Sequence, residues 1–482
     1  MIAMQYLSNP MRYLPHTEQD IKEMLAVTGH KSLDDLFPTI PADYRVKKEM
    51  CLPKPLTEWE LNAHISELAS KNAAFPLQKV FIGAGSYPHH IPSIIPYLIS
   101  RSEFMTAYTP YQPEISQGTL QGIYEFQTMI TELLGTEVAT ASHYDGGTAL
   151  AEALLISLRK KKGIKKVAVS SLVHPHHRQI IKTYLEPAGY KMVELPAKAD
   201  GTTDLSCFNG INKSSLDGMD KSPVDDINDI AAIAVQSPNF FGCIEDIAKV
   251  KAIAEAKKIM CIASFTEALA YGLLKKPGQL GADIVVGEGQ SLGIAQSFGG
   301  PGLGIMTSSK QYVRDLPGRL VGRTKDRRGE DGFVLTLSTR EQHIKREKAS
   351  SNICSNNGLN AMTAGIYLAT VGKIGIRKIA QLNHDKAMFL KTKLEEAGFK
   401  IPFSAPFFNE FVAKAPEGFA EKRESLKKKG IVAGLSIEKY YPNKQCKQNG
   451  QCFNQELKNH YLFCATEVFS KDDIETLAKE LK

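Results

Sequence analysis

DIAAIAVQ at Asp229–Gln236, IMCIAS at Ile259–Ser264 and ADIVVG at Ala282–Gly287 are short runs dominated by small and β-branched residues. An amphipathic helical window from Glu245 to Lys257 separates the first two. Apolar runs of this length, alternating with helical windows, predict strands buried on both faces and joined by βαβ crossovers, which means a mainly parallel sheet. Working outward, VAVSS (167–171) and GLGIMTS (302–308) continue the pattern on either side. Upstream, Thr17-x-x-Asp20 is placed to cap the run IKEMLAVTG, Gly29 ends it, and Leu56 to Leu68 repeats a charged helical pattern. Downstream of Arg340 the periodicity is helical over Ala361–Ala369 and Ile376–Ala397, then mixed. The expectation is an α/β protein with a helical N-terminal arm (1–75), a large domain built on a mainly parallel sheet (76–340) and a smaller C-terminal α+β domain (341–482).

At 482 residues with 43% hydrophobic and 23% charged, the chain can bury a large core, which excludes disorder as its main state. Uncharged stretches such as Val80–Ser100 and Gly289–Ser309 carry too many prolines or glycines to read as membrane spans, and MIAMQYLSNPMRY has neither a signal nor a transit pattern. The expected location is the cytoplasm, with no membrane partner. A net charge of +7 is too mild for a dedicated nucleic-acid binder. Nine basic and five acidic residues lie between Arg319 and Lys348, either a solvated face or a docking surface for an acidic partner. The eight cysteines include no CxxC pair, and neither His89-His90 nor His174, His176 and His177 have metal-ligand spacing, so no metal is expected.

The motifs with chemical content sit at the ends of the expected strands. Asp145-Gly146-Gly147-Thr148 precedes a helical run, which suits either a phosphate at the helix N-terminus or a plain N-cap. IGAGSY (82–87) lacks the rest of a dinucleotide fingerprint and reads as a tight turn, and no P-loop pattern occurs. His174 follows one strand, SPNFFG (237–242) the next, and Gln290-Ser291 and GGPG (299–302) a third. In a sheet enzyme using pyridoxal phosphate these places would hold a ring-stacking residue, a substrate-side loop and the coenzyme lysine. The lysine is missing.

These residues resemble one family over nearly the whole chain, the glycine-decarboxylating P-protein of the glycine cleavage system in its two-subunit form. The resemblance is carried by MRYLPHT (11–17), YTPYQPEISQG (108–118), DGGTALAEALL (145–155), VQSPNFFGCIED (235–246), GADIVVGEGQSLG (281–293), FGGPGLG (298–304), LPGRLVGRT (316–324) and GFVLTLSTREQHIKREKASSNIC (332–354). It implies a fold-type I pyridoxal-phosphate-dependent transferase-like fold. It also implies an α2β2 assembly with a homologous beta subunit (subunit 2) that binds the pyridoxal phosphate, and a lipoyl H-protein as second substrate.

Counting back from GGPG puts Gln290 at the family's lysine position, and counting from LGAD puts Ser264 where the beta chain has the Asp that pairs with the pyridine nitrogen. Together with His174 and Thr148 these become vestigial cofactor positions, because an amide cannot condense with the coenzyme's aldehyde and a hydroxyl cannot hold a pyridinium charge. The other amines considered, Lys310 and Lys31, lie after the strand GLGIMTS and in the N-terminal arm. What remains for this chain is a contribution across a subunit interface. The candidates are Tyr108, Tyr111, Gln112, Glu114 and Gln117 of one motif and Arg346, Lys348, Asn352 and Cys354 of another, the thiol being either redox-sensitive or inert packing. Two other classes stay open: a self-sufficient pyridoxal-phosphate enzyme such as an aminotransferase or cysteine desulfurase, and a non-catalytic scaffold or regulator of the beta subunit.

Overall fold

The structure, a computed structural model, describes residues 16–46, 48, 51–72, 78–209, 229–353, 356–441, 447–448, 451–452 and 457–482. The chain divides into two compact units, Met1–Asn72 and Ala73–Lys482. In the first, the capping box is formed: Thr17 accepts from the Asp20 backbone, Asp20 reaches back, and the helix Glu18–Thr28 stops at Gly29 in the left-handed region. A second helix, Glu58–Ser70, starts at the capping box of Thr57 and Glu60. Neither helix buries a side chain.

The second unit is built on a seven-stranded sheet. In chain order its strands are β1 (Lys79–Phe81), β2 (Val138–Ala139), β3 (Lys166–Ser170), β4 (Lys191–Leu195), β5 (Ile230–Gln236), β6 (Met260–Phe265), β7 (Ile284–Glu288) and β8 (Gly304–Ser308), of which β2 to β8 form the sheet in the order β2-β8-β7-β6-β5-β3-β4. The five strands from β7 to β4 run parallel, while β8 and β2 complete the edge antiparallel. The apolar runs read from the sequence are the central strands, and every residue of β5, β6 and β7 is buried. Their side chains alternate between two cores. Val167, Val169, Ala232, Ala234, Ile284 and Val286 pack with the helix Gly146–Lys160. On the opposite face Ala168, Ile233, Val235 and Cys261 meet the helix Ile247–Ala256, and Ala263, Phe265 and Val285 meet Ile130, Leu134 and Tyr367. Each Val, Ile, Leu or Phe among them taken out of water contributes about 1.5–3 kcal/mol before entropy is counted, and each Ala less, so the two-sided burial fixes the sheet in place.

Further along the chain, β9 (Val321–Lys325) and β10 (Asp331–Leu335) form an antiparallel hairpin. The helical windows after Arg340 become Gly358–Glu396, interrupted at Gly372 (φ 60°, ψ 178°). The last part forms a three-stranded antiparallel sheet, β11 (Glu410–Lys414) and β13 (Leu435–Ser436) flanking β16 (His460–Cys464). The intervening β12 (Ile431–Ala433) pairs in parallel with β1, and β14 (Lys447–Gln448) pairs antiparallel with β15 (Gln451–Cys452). No helix among the described residues is long and apolar enough to cross a membrane.

Candidate functional site

Parallel strands in register bring their C-terminal ends into one row. Gln236 at the end of β5 pairs with Ser264 in β6, Ser264 with Val286 in β7, and Glu288 closes β7 opposite Gly304. His174 follows β3 and caps the helix Pro175–Leu185, its Nδ1 accepting from the His176 backbone at 3.2 Å. That assignment leaves the hydrogen on Nε2, which donates to the Ala84 carbonyl at 3.0 Å. Burial, with some help from the neighbouring His177, pulls the His174 pKa down to about 3, so the ring stays neutral.

The crevice between His174 and Gln290 is bridged by the chain's own loop, residues 82–90. The Gln290 amide grips this loop like a backbone partner: Oε1 accepts from Tyr87 N–H at 2.9 Å, and Nε2 donates to the carbonyls of Tyr87 (3.2 Å) and Ile294 (2.8 Å). Tyr87 is fully buried and donates its hydroxyl hydrogen to Glu410 at 2.7 Å, while Ala84 N–H donates to the second oxygen of the same carboxylate at 2.9 Å. Burial pushes the Glu410 pKa up to about 7 in spite of those donors. Beyond Tyr87, His89 lies between two buried carboxylates, with Nε2 2.9 Å from Glu267 and Nδ1 2.8 Å from Glu467. Burial opposes the imidazolium, but the two acids outweigh it and raise its pKa to about 10.

The helix N-terminus at Asp145-Gly146-Gly147-Thr148 is also spent internally. Asp145 Oδ1 accepts from Thr148 N–H at 2.7 Å, and the Thr148 hydroxyl turns back onto Asp145. Gly146 N–H donates to Glu288 Oε2 at 3.0 Å, and Leu303 N–H to Glu288 Oε1 at 2.8 Å. A Cβ on Gly146 would sit 2.8 Å from the Glu288 nitrogen, so only glycine lets the helix press against the end of β7. The turn is an N-cap with a second carboxylate laid against it. Burial raises the Glu288 pKa to about 7.

Pyridoxal phosphate does not fit this crevice. There is no amine at 290, and the Gln290 amide is engaged by the loop and by the Ile294 carbonyl. Ser264 is buried with its hydroxyl unpartnered among the described residues and offers no charge for a pyridinium. Two carboxylates already occupy the place a phosphate would take. Of the other amines considered, Lys310 is exposed after β8, whose antiparallel course carries it to the opposite end of the sheet, and Lys31 is an exposed residue of the first unit. Sequence reading singled out Gln290, Ser264, His174 and Thr148 but missed Tyr87, Glu288, His89 and Glu410. IGAGSY flagged the loop only as a turn, and nothing local ties Tyr87 to Glu410, 323 residues away.

The remaining candidates lie apart from the crevice. Tyr108 (81% exposed), Gln112 and Glu114 face solvent, and Tyr111 accepts from Arg319 at 3.0 Å and lies under its guanidinium. Gln117 exchanges both amide hydrogen bonds with the Phe333 backbone (2.9 Å each), which makes it a brace for the hairpin. Arg346, Lys348 and Asn352 are exposed, Arg346 at φ 53°, and Cys354 lies outside the described residues. No group of side chains suited to a metal occurs among the described residues.

A family model for the glycine cleavage system P-protein matches residues 11–448. The chain is 51% identical over 472 residues, 98% of each sequence, to a probable glycine dehydrogenase (decarboxylating) subunit 1 of Desulfotalea psychrophila (strain LSv54 / DSM 12343). It superposes with a TM-score of 0.82 at 39% identity, covering 98% of this chain and 99% of the other, on a crystal structure of glycine decarboxylase (P-protein) of the glycine cleavage system in inhibitor-bound form. A sphingosine-1-phosphate lyase of Burkholderia pseudomallei, 12% identical with a TM-score of 0.61 over 92% and 93% of the two chains, shares the fold alone.

Proposed function

Since the chain belongs to the glycine cleavage system P-protein family, we propose that it works as subunit 1 of a two-chain glycine dehydrogenase (decarboxylating), the half that holds no coenzyme. With subunit 2 it removes carbon dioxide from glycine and passes the aminomethyl group to the lipoyl group of H-protein, in an α2β2 assembly. The observation that carries the division of labour is Gln290, buried and hydrogen-bonded to both sides of Tyr87, where the resemblance requires an amine. Pyridoxal phosphate belongs, in this reading, to subunit 2.

The contribution of this chain is then made from its surface. Tyr108, Gln112, Glu114, Arg346, Lys348 and Asn352 are the side chains we assign to the partner's site, with Cys354 beside them in sequence. Their exposure supports this, as do the exposed apolar neighbours Tyr97, Met105 and Ile115. Gln117 belongs to the scaffold. We retain 76–340 and 341–482 as large and small domains, with β1 pairing across that division. The cytoplasm is the proposed compartment, in keeping with the unpaired thiols of Cys51, Cys207, Cys243, Cys261 and Cys464.

Glycine/bicarbonate exchange tests the reading, measured with pyridoxal phosphate and H-protein for this chain alone, for subunit 2 alone and for the mixture. Exchange is expected only from the mixture, and turnover by this chain alone would overturn the assignment. Arg346→Ala with Asn352→Ala is expected to leave assembly intact and lower turnover. Unchanged turnover would favour a scaffold that never reaches the pocket.

A further inference from the structure

Away from the crevice, a cavity of about 300 Å³ opens beside the turn Ser338–Arg340 and the short helix Gln342–Lys345. Its lining includes four cations, Arg314, Arg340, Lys345 and Lys348, and two hydroxyls, Thr339 and Ser350, and contains no acid. Like charges gathered around one small volume repel one another, and an anion placed between them relieves that repulsion.

The neighbouring acids do not supply that anion. Glu341 is next to Arg340 in sequence and its charge acts on that guanidinium, but it does not line the cavity and its ion-pair contact is with His343, at 3.8 Å. Glu347 is exposed. Arg314, Lys345 and Lys348 have no carboxylate partner among the described residues. Arg340 is half-buried, and its Nε and Nη2 donate to the carbonyls of Leu337 (2.9 Å) and Gly318 (3.1 Å). Its Nη1 is buried without a partner among the described residues, a state that normally costs more than it returns. On either side of the cluster, Leu337 (φ 55°) and Arg346 (φ 53°) have positive φ, unusual for side chains of their size.

We propose that this cavity is a binding site for a small molecule bearing a phosphate group. A tetrahedral dianion can meet a guanidinium edge, two ammonium groups and two hydroxyls at once, which a singly charged planar carboxylate cannot. The volume lies at the lower end of the small-molecule range, enough for a phosphate ester as well as the bare ion. The lining comes from this chain alone, with Lys348 shared with the surface assigned above to subunit 2, and the test below uses this chain by itself, so its outcome is distinct from that of the exchange assay.

Calorimetric titration of the purified full-length chain tests it, at fixed ionic strength set with sodium chloride, using inorganic phosphate, glycerol 3-phosphate and acetate. Saturable one-to-one binding is expected for the two phosphates and none for acetate. Arg340→Gln combined with Lys348→Gln is expected to weaken phosphate binding by at least about tenfold, and Arg323→Gln on the hairpin to leave it unchanged. If the Arg340 variant does not fold, Lys345→Gln with Lys348→Gln, both at exposed positions, carries the same expectation. Heats no larger than those of added chloride, equal binding of acetate, or full affinity in the double lysine variant would each overturn the proposal.

Discussion

Gln290 does with an amide what backbone does elsewhere, taking a hydrogen bond from Tyr87 N–H and returning one to Tyr87 O. Restoring an amine there should therefore not restore coenzyme binding. Gln290→Lys is expected to destabilise the chain by about 1–3 kcal/mol, the cost of stranding buried backbone groups, and to show no visible absorption band on titration with pyridoxal phosphate. Appearance of such a band would mean that the loop yields to the coenzyme. The buried titratable groups give this region a pH dependence whose sign is fixed by their shifts. Glu288 and Glu410, raised to about 7, bind protons in the folded chain that the unfolded chain has already released, so stability rises as pH falls from about 7 towards the ordinary carboxylate range. His89, raised to about 10, contributes stability that is complete below its ordinary pKa and lost as pH rises through about 10. Both effects favour mildly acidic over alkaline conditions. Denaturant midpoints should be higher near pH 6 than near pH 9, with Glu288→Gln flattening the acid limb of that profile and His89→Gln the alkaline limb.

At the scale of elements, the corner after β5 shows how tightly the strand ends are tied to the last third of the chain. Asn239 holds the SPNFFG turn by accepting from Phe241 N–H (3.0 Å) and Cys243 N–H (3.1 Å) while donating to Gly201 O and Glu245 (2.9 Å each). Phe240 and Phe241 are core, and Phe240 meets the His174 ring edge-on at 5.1 Å. The sequence suggested a substrate-side loop here, but the residues themselves are packed inside. Gly242 sits at φ +81°, and a Cβ there would lie 1.9 Å from the Glu410 carbonyl oxygen. Gly242→Ala is therefore expected to cost at least about 3 kcal/mol in equilibrium unfolding. A near-neutral result would show that β11 shifts freely against this corner. The strands were legible because continuous apolar runs have one physical use in such a fold. The pairing of β1 with β12 was not, because two three-residue strands about 350 positions apart leave no periodic signal.

For the whole molecule, the basic stretch from Arg319 to Lys348 resolves into parts with different uses. Arg323 and Lys325 are both paired with Asp331 across the hairpin, so their charge is partly spent within the fold. Arg327 and Arg328 at the hairpin tip are exposed, and Arg340, Lys345 and Lys348, joined by Arg314 from outside the stretch, line a cavity. If the tip steers an acidic H-protein, Arg327→Glu should raise the apparent KM for H-protein several-fold with little change in kcat, and the difference should shrink as salt is added. An unchanged KM across a range of ionic strength would assign that role elsewhere.

By itself, the sequence determined the parallel α/β core and the family, and it placed an amide, Gln290, at the end of a central strand. Each of these is written in contiguous residues: apolar runs with strand length, motifs of ten or more positions, and one amide beside a glycine-rich turn. Only the tertiary structure decided what surrounds that amide. Tyr87, Glu410, Glu288 and the Glu267–His89–Glu467 cluster come from segments hundreds of residues apart. A buried hydrogen bond between such segments depends on where strand ends meet in space, and no local pattern of residue types encodes that meeting.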